Sequence, residues 1–428
     1  MEALLPIGVL FILFFLNIPI AFALMGASLF YFVFINTSMP IQMVIQQFVT
    51  SVESFPYLAV PFFIMVGSVM NHSGISKALM DFADVLVGHT KGGLAQVNVL
   101  LSALMGGISG SANADAAMQS KILVPEMERK GFSKPFSAAI TAASSAISPV
   151  IPPGTNLILY ALIANVSVGS MFLAAYMPGI LMAIALMITV HIISVRRNYQ
   201  PSREKMSSPM AILKQFVVSI WALFIPFAII MGMRFGIFTP TEAGGIAVVF
   251  AAIVGFFVYK KLKFEHIPLI LMDTVKSTGA VMAIIASAKV FGYYLTLERI
   301  PQMITEFLVN MTDSPFVLLL VINILLLFIG MFIEGGAALV ILAPLLVPAV
   351  KLFGVDPIHF GMIFIVNIMI GGLTPPFGSM MFTVCSIVNV KLEDFIKEVW
   401  PFIAALLIVL LLITYSEGIA LFTLNLFS

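Results

Sequence analysis

Residues 106–125 read GGISGSANADAAMQSKILVP, and the polar types in this run can do chemistry that its apolar surroundings cannot. Ser109, Ser111, Asn113, Asp115, Gln119, Ser120 and Lys121 bring hydroxyls, amides, a carboxylate and an ammonium into otherwise hydrocarbon-like sequence. Polar groups left unpaired in hydrocarbon are costly, so this density survives only where it is buried in protein or lines a site. The Gly-Ser run also favours a chain reversal. Two other stretches share this character. SPVIPPGTN at 148–156 and GGLTPPFG at 371–378 set adjacent prolines and a glycine inside apolar runs. Such breaks remove donors and free carbonyls that need partners. A third interruption, Glu334-Gly335-Gly336, divides the apolar run 316–350. Hydroxyl, amide and carbonyl oxygens gathered at membrane depth suit a cation, and helix N-termini at the same breaks suit an anion. Enzyme signatures are missing. Ser109 follows Gly107 but precedes Gly110-Ser111, which is no GxSxG, and the five histidines show no HExxH spacing. An intramembrane hydrolase using Ser109 or Ser111 is the alternative from another class. A serine-reactive probe would label only that hydrolase.

The elements that must hold these residues are membrane helices. The chain has 428 residues, 61% hydrophobic and 10% charged, with a mean hydropathy of +1.12. That composition belongs to a polytopic all-α membrane protein; the apolar runs are too long and continuous for a barrel. A net charge of +1 gives no bulk attraction to nucleic acid, and the single Cys385 excludes an intrachain disulfide or a cysteine metal cluster. The N-terminal Met1-Glu2-Ala3 lacks a basic n-region, so the first apolar run reads as membrane sequence. Residues 4–34, apolar apart from Asn17, suit one tilted helix or two short ones. Residues 1–56 are expected to be N-terminal scaffold helices. Residues 57–165 would hold an amphipathic arm at 75–88, a hairpin at 93–127 and a broken helix at 135–165. Residues 166–276 would supply further scaffold crossings and a connecting arm. Residues 277–390 would hold a second hairpin at 316–350 and a broken helix at 358–389. After a charged loop at 391–398, a last scaffold crossing is expected at 399–425.

The second half repeats the first. Pro152 and Pro375, Pro153 and Pro376, Pro125 and Pro348, and Gly107 and Gly330 are each 223 residues apart. In that register Ser111 corresponds to Glu334 and Asn113 to Gly336. The basic loops at 129–134, 196–205, 260–263 and 391–397 should all face the cytoplasm. The first hairpin then enters from the cytoplasmic side and the second, one crossing later, from the other. Inverted repeats with opposed hairpins and broken helices are the layout of a secondary transporter whose site lies where the breaks converge. Asp115, Lys121, Arg234, Glu242, Lys289 and Glu334 lie in or near apolar segments, and an intramembrane charge is a functional-site candidate by default. Arg234 and Glu242 read as interfacial, Asp115 and Lys121 as a pair within the hairpin, and Lys289 has no assigned role.

SGSANADAAMQSKILVPEM at 109–127, PPGTN at 152–156 and GGLTPPFG at 371–378 resemble the large membrane subunit of TRAP (tripartite ATP-independent periplasmic) transporters. The likeness runs through nearly the whole chain, and Asn113, Gln119, Ser120 and Lys121 look most like the sialic-acid branch rather than the more apolar C4-dicarboxylate branch. The resemblance implies a bacterial inner-membrane protein of the ion-transporter superfamily type, with an elevator mechanism and Na⁺ as coupling ion. It further implies a separate small membrane subunit, a periplasmic substrate-binding protein and a small carboxylate substrate such as sialic acid. No other cofactor is expected. On this footing one Na⁺ is expected between Ser109, Ser111 and Asn113 and the break holding Ser148, Gly154 and Asn156. A second is expected between Glu334, Gly335 and Gly336 and the break holding Thr374, Pro375 and Gly378. Asp115, Thr155 and Ser379 are the substrate candidates. A self-sufficient Na⁺/organic-anion symporter of the same architecture is the alternative among transporters.

Overall fold

A computed structural model describes residues 4–16, 18–53 and 55–427, the side chains of residues 55 and 107–109 excepted. The described chain is helical almost throughout. It begins with α1 (Leu5–Phe15) and α2 (Ile20–Phe30), so the long first apolar run is two short helices rather than one tilted helix. Then come α3 (Ile41–Val52), α4 (Ala59–His72) and the amphipathic arm α5 (Ile75–Val87). The first hairpin is α6 (Gly93–Ser109) and α7 (Ala112–Arg129), and the first broken helix is α8 (Lys134–Ser145) and α9 (Thr155–Ala164). Three longer helices follow, α10 (Val168–Arg196), α11 (Pro209–Arg234) and α12 (Pro240–Ile253), and then α13 (Ile267–Leu297). The second arm is α14 (Ile300–Met311), and the second hairpin is α15 (Pro315–Phe332) and α16 (Gly335–Leu352). The second broken helix is α17 (Pro357–Gly371) and α18 (Ser379–Val388). The chain closes with α19 (Leu392–Tyr415), α20 (Glu417–Ala420) and α21 (Phe422–Phe427). Among the described residues seven helices are long and apolar enough to cross a membrane, or eight if α3 and α4 form one bent span.

The charged stretch at 391–398 is not a loop, as its composition suggested. Leu392, Glu393 and Asp394 open α19, with Lys391 as its N-cap, and the crossing ends at Tyr415 instead of 425. Acidic groups in a first helical turn are favoured by the helix dipole, so polarity there marks the interface rather than the end of the helix.

The repeat is visible element by element. Ser111 caps α7 and Glu334 caps α16, the two positions that the sequence register equates. Gly131 and Gly354, 223 residues apart, both take positive φ where the hairpins turn into α8 and α17. Asn165 and Asn389 end α9 and α18 in the same left-handed conformation. In each half a buried amide ties the inbound hairpin arm to the helix before the break. Ser144 donates to Asn98 at 2.6 Å in the first, and Asn367 donates to Asn323 at 2.6 Å in the second.

The repeats are also inverted. Near the start of α19, Glu398 pairs with Arg197 at 2.8 Å. The loop after Arg197 seals both legs of the first hairpin: Tyr199 hydroxyl donates to Ser133, Ser202 N–H donates to the Gly88 carbonyl, and Arg203 pairs with Asp84 at 2.7 Å. At the other end of α19, Tyr415 stacks on Phe316 in the first turn of the second hairpin, with ring centroids 3.9 Å apart. The two hairpins therefore enter from opposite faces, and the basic segments 129–134, 196–205 and 391–397 gather on one of them. Outward-facing apolar residues such as Ile180, Ile184, Ile188 and Ile192 on α10 recur every fourth residue, as a lipid-facing stripe requires.

Candidate functional site

The site is built from two chain reversals and two breaks. At the first reversal Gly110 adopts a φ of 57°, a conformation that glycine accepts without a Cβ penalty. Ser111 Oγ then accepts from Ala114 N–H at 3.4 Å and starts α7. At the second, Glu334 accepts from Gly336 N–H at 3.1 Å and starts α16. The breaks fold back on their own carbonyls. A Cβ at Gly154 would lie 2.3 Å from the Pro149 oxygen, and one at Gly378 would lie 2.6 Å from the Gly372 oxygen. Both positions therefore require glycine.

These four features converge on one cavity of about 50 Å³. Ser111, Asn113, Thr155, Asn156, Glu334, Gly335 and Ser379 line it. The second arms cross between repeats. A Cβ on Gly335 would come within 3.2 Å of Asn156 Nδ2, so the second tip sits against the first repeat's α9. Thr383 on α18 donates to Asn113 Oδ1 at 3.4 Å, so the first tip reaches the second repeat. Thr155 also donates to the Gly110 carbonyl at 3.3 Å. Glu334 is the single carboxylate, and no histidine is present, among the described lining residues.

Other expected residues stand back from the cavity. Ser148 is fully buried and its Oγ has no hydrogen-bond partner among the described residues, beside the lining residue Pro149. Thr374 Oγ1 donates to its own helix at the Ile370 carbonyl, 2.7 Å away. Gly154, Gly336, Pro375 and Gly378 shape the backbone at the rim without being lining residues. The side chain of Ser109, like that of Gly107, lies outside the described residues. Asp115 is not in the lining either. It is 1% exposed, accepts from Ser102 at 2.8 Å and from Gln119 at 2.9 Å, and knits the two arms of the hairpin together. Its partners are those residues, whereas Lys121 is exposed, which corrects the expected Asp115–Lys121 pair. Gln119 is four residues from Asp115, the spacing at which helical side chains meet. Gly110, Ile368, Met369, Gly372, Met380 and Thr383 join the site without having been singled out. Apolar and glycine types carry no local signal of such a role, and Thr383 lies one turn into α18, beyond the break itself.

Hydroxyl, amide and carbonyl oxygens with one carboxylate around a volume this small can hold a desolvated monovalent cation or water. An organic acid needs more room, since small-molecule pockets run from roughly 300 Å³ upward. Opposed hairpin tips and broken helices around such a cavity define the class: a secondary transporter of inverted-repeat design. The chain matches the family described as the DctM component of tripartite ATP-independent periplasmic transporters over residues 7–419, and it belongs to that family. It is 37% identical over 403 residues to the sialic acid TRAP transporter large permease protein SiaM of Vibrio cholerae, covering 94% of this chain and 93% of that one. It is 35% identical over 412 residues to the 2,3-diketo-L-gulonate TRAP transporter large permease protein YiaN of Escherichia coli, covering 96% of each. Among solved structures the Alcanivorax borkumensis YdaH transporter has the same fold, with a TM-score of 0.64, 15% identity and 88% of each chain covered. The protein is thus a multi-pass inner-membrane permease subunit, and its relatives are named as transporters rather than enzymes.

Proposed function

We propose that this chain is the large permease of a Na⁺-driven importer that receives a small organic acid from a periplasmic binding protein and works beside a small membrane subunit. The observation that carries the reading is the 50 Å³ oxygen-lined cavity where both tips and both post-break helices meet. A cation bound there would join the two repeats and fix the tips against α9 and α18. The helix N-termini beginning at Thr155 and Ser379 would then favour the anionic group of a substrate. N-acetylneuraminate is the first substrate choice, because Asn113, at the cavity, is among the residues that resemble the sialic-acid branch. Gln119, another of them, is turned into the hairpin and does not reach the cavity, so a C4-dicarboxylate is the second choice. The hairpins and broken helices would move as one body against a scaffold of α1–α3 and α10–α12.

The test is uptake into liposomes. No polar segment is long enough to fold as a capture domain: residues 196–209 make the longest, and domains usually need about 50 residues or more. The chain alone should therefore take up no free N-acetylneuraminate at micromolar concentration. Adding the small subunit and the loaded binding protein, with an inward Na⁺ gradient, should restore uptake. Robust Na⁺-driven uptake by the chain alone would replace this reading with the self-sufficient symporter.

A further inference from the structure

A second and larger cavity, of about 630 Å³, lies between α3, α9, α13 and α16. Lys289 lines it and carries the only charge among the described lining residues. It makes none of the ion pairs found among the described residues. It is therefore a cation in an apolar helix with no ion-pair partner among the described residues, a situation that proteins keep for a reason. Lys289, Gly292, Tyr293 and Thr296 recur at the spacing of one face of α13, and Gln47, Thr50 and Ser51 form a matching stripe on α3. The cavity wall thus combines a lone ammonium and two polar stripes with apolar residues such as Leu159, Leu162 and Val340.

Its position gives it a direction. Asn165 ends α9 and Thr296 stands next to the end of α13, both on the face from which the second hairpin enters. The same two helices, α9 and α16, line the large cavity with Leu159 and Val340 and the small one with Asn156 and Gly335. Both helices therefore run from the large cavity, toward the outer face, to the small one at the tips.

We infer that the 630 Å³ cavity is the outer vestibule for the organic anion, and that Lys289 is the residue that draws in and holds its carboxylate before the anion reaches the tips. The inference rests on the reading of the chain as an organic-acid importer. The volume lies within the range of small-molecule pockets, which the tip cavity does not reach. Uncompensated positive charge within low-dielectric walls concentrates anions.

The test uses the full chain in a Cys385→Ser background with Thr296→Cys as reporter. The probes are membrane-impermeant methanethiosulfonates, one anionic and one cationic, applied from outside. With Lys289 present the anionic reagent should react faster. Lys289→Gln should lower the anionic-to-cationic rate ratio by about fivefold or more, and Lys289→Arg should keep it within about twofold. A ratio unmoved by Lys289→Gln, or labelling from the cytoplasmic side alone, would overturn the vestibule. In the assembled transporter, Lys289→Gln should raise the half-saturating concentration of N-acetylneuraminate-loaded binding protein with a smaller effect on maximal rate. An unchanged half-saturation in a transporter that works would also overturn it. If the wild-type assembly imports no organic acid while the labelling ratio still follows Lys289, the importer reading fails and the anion vestibule stands.

Discussion

Gly371→Val is expected to abolish transport and to lower the melting temperature of the purified chain by several degrees. The inbound arm of the second hairpin crosses α17 at backbone contact. A Cβ at Gly371 would lie 2.7 Å from both the Cα and the carbonyl carbon of Gly330. No side chain there can rotate away, so two helices must separate. Forcing extra atoms into a packed core costs about 1–3 kcal/mol. Here the displacement lands next to the cavity, because Gly372 follows immediately and is one of its lining residues. Gly371→Ala should show a weaker form of both effects. Gly245→Ala, where a Cβ would meet nothing within 4 Å, is the control and should leave the melting temperature within about a degree. Full activity in Gly371→Val would mean that the hairpin and α17 are not held together as the fold requires.

Asn156→Ala should raise the half-saturating Na⁺ concentration roughly tenfold to a hundredfold, with protein in the membrane little changed. Loss of one oxygen ligand from a small site costs about 1–3 kcal/mol, and each 1.4 kcal/mol is tenfold in affinity. Asn113→Ala should act in the same direction. The pair tests whether these two side chains serve the same cation. Both side chains come from the first repeat and line a single cavity, each against a residue of the second repeat, Thr383 beside Asn113 and Gly335 beside Asn156. Residues that act on one ligand are not additive, so the double variant should fall well short of the product of the single effects. Fully multiplicative effects would mean that Asn113 and Asn156 do not share one cation. An unchanged half-saturating Na⁺ concentration in both single variants would remove both residues from the site.

The architecture was legible because its signals are local. Prolines at 152–153 and 375–376, glycines at 110 and 335–336, and polar types in apolar runs all act on the backbone that carries them. The constant offset then exposed the repeat, and positive charge the inversion. The N-terminal run was ambiguous because length and apolarity alone do not say where a helix ends. The start of α19 was misread because Glu393 and Asp394 are tolerated in a first turn, so charge and loop were wrongly equated. In the site, Ser111, Asn113, Asn156 and Glu334 were legible as polar groups at breaks. Their partnership was not. The contact of Asn156 with Gly335 joins residues far apart in sequence and in different repeats, and only packing of α9 on α16 creates it. The expected Asp115–Lys121 pair failed for a simpler reason. A carboxylate in an apolar segment suggests a ligand or an ion pair, but Ser102 on the facing arm and Gln119 one turn on already satisfy it.

The central claim is that both repeats close around one monovalent cation. Thermal unfolding of the purified chain, without partners or substrate, tests it most directly. A ligand that binds only the folded state stabilises it by RT ln(1 + [L]/Kd), or about 2.7 kcal/mol at a hundred times Kd. The melting temperature should rise steadily with the logarithm of Na⁺ concentration at constant ionic strength. It should not rise with K⁺ or choline, and the Na⁺ response should be largely lost in Asn156→Ala. Superimposable unfolding curves in Na⁺, K⁺ and choline would contradict the account.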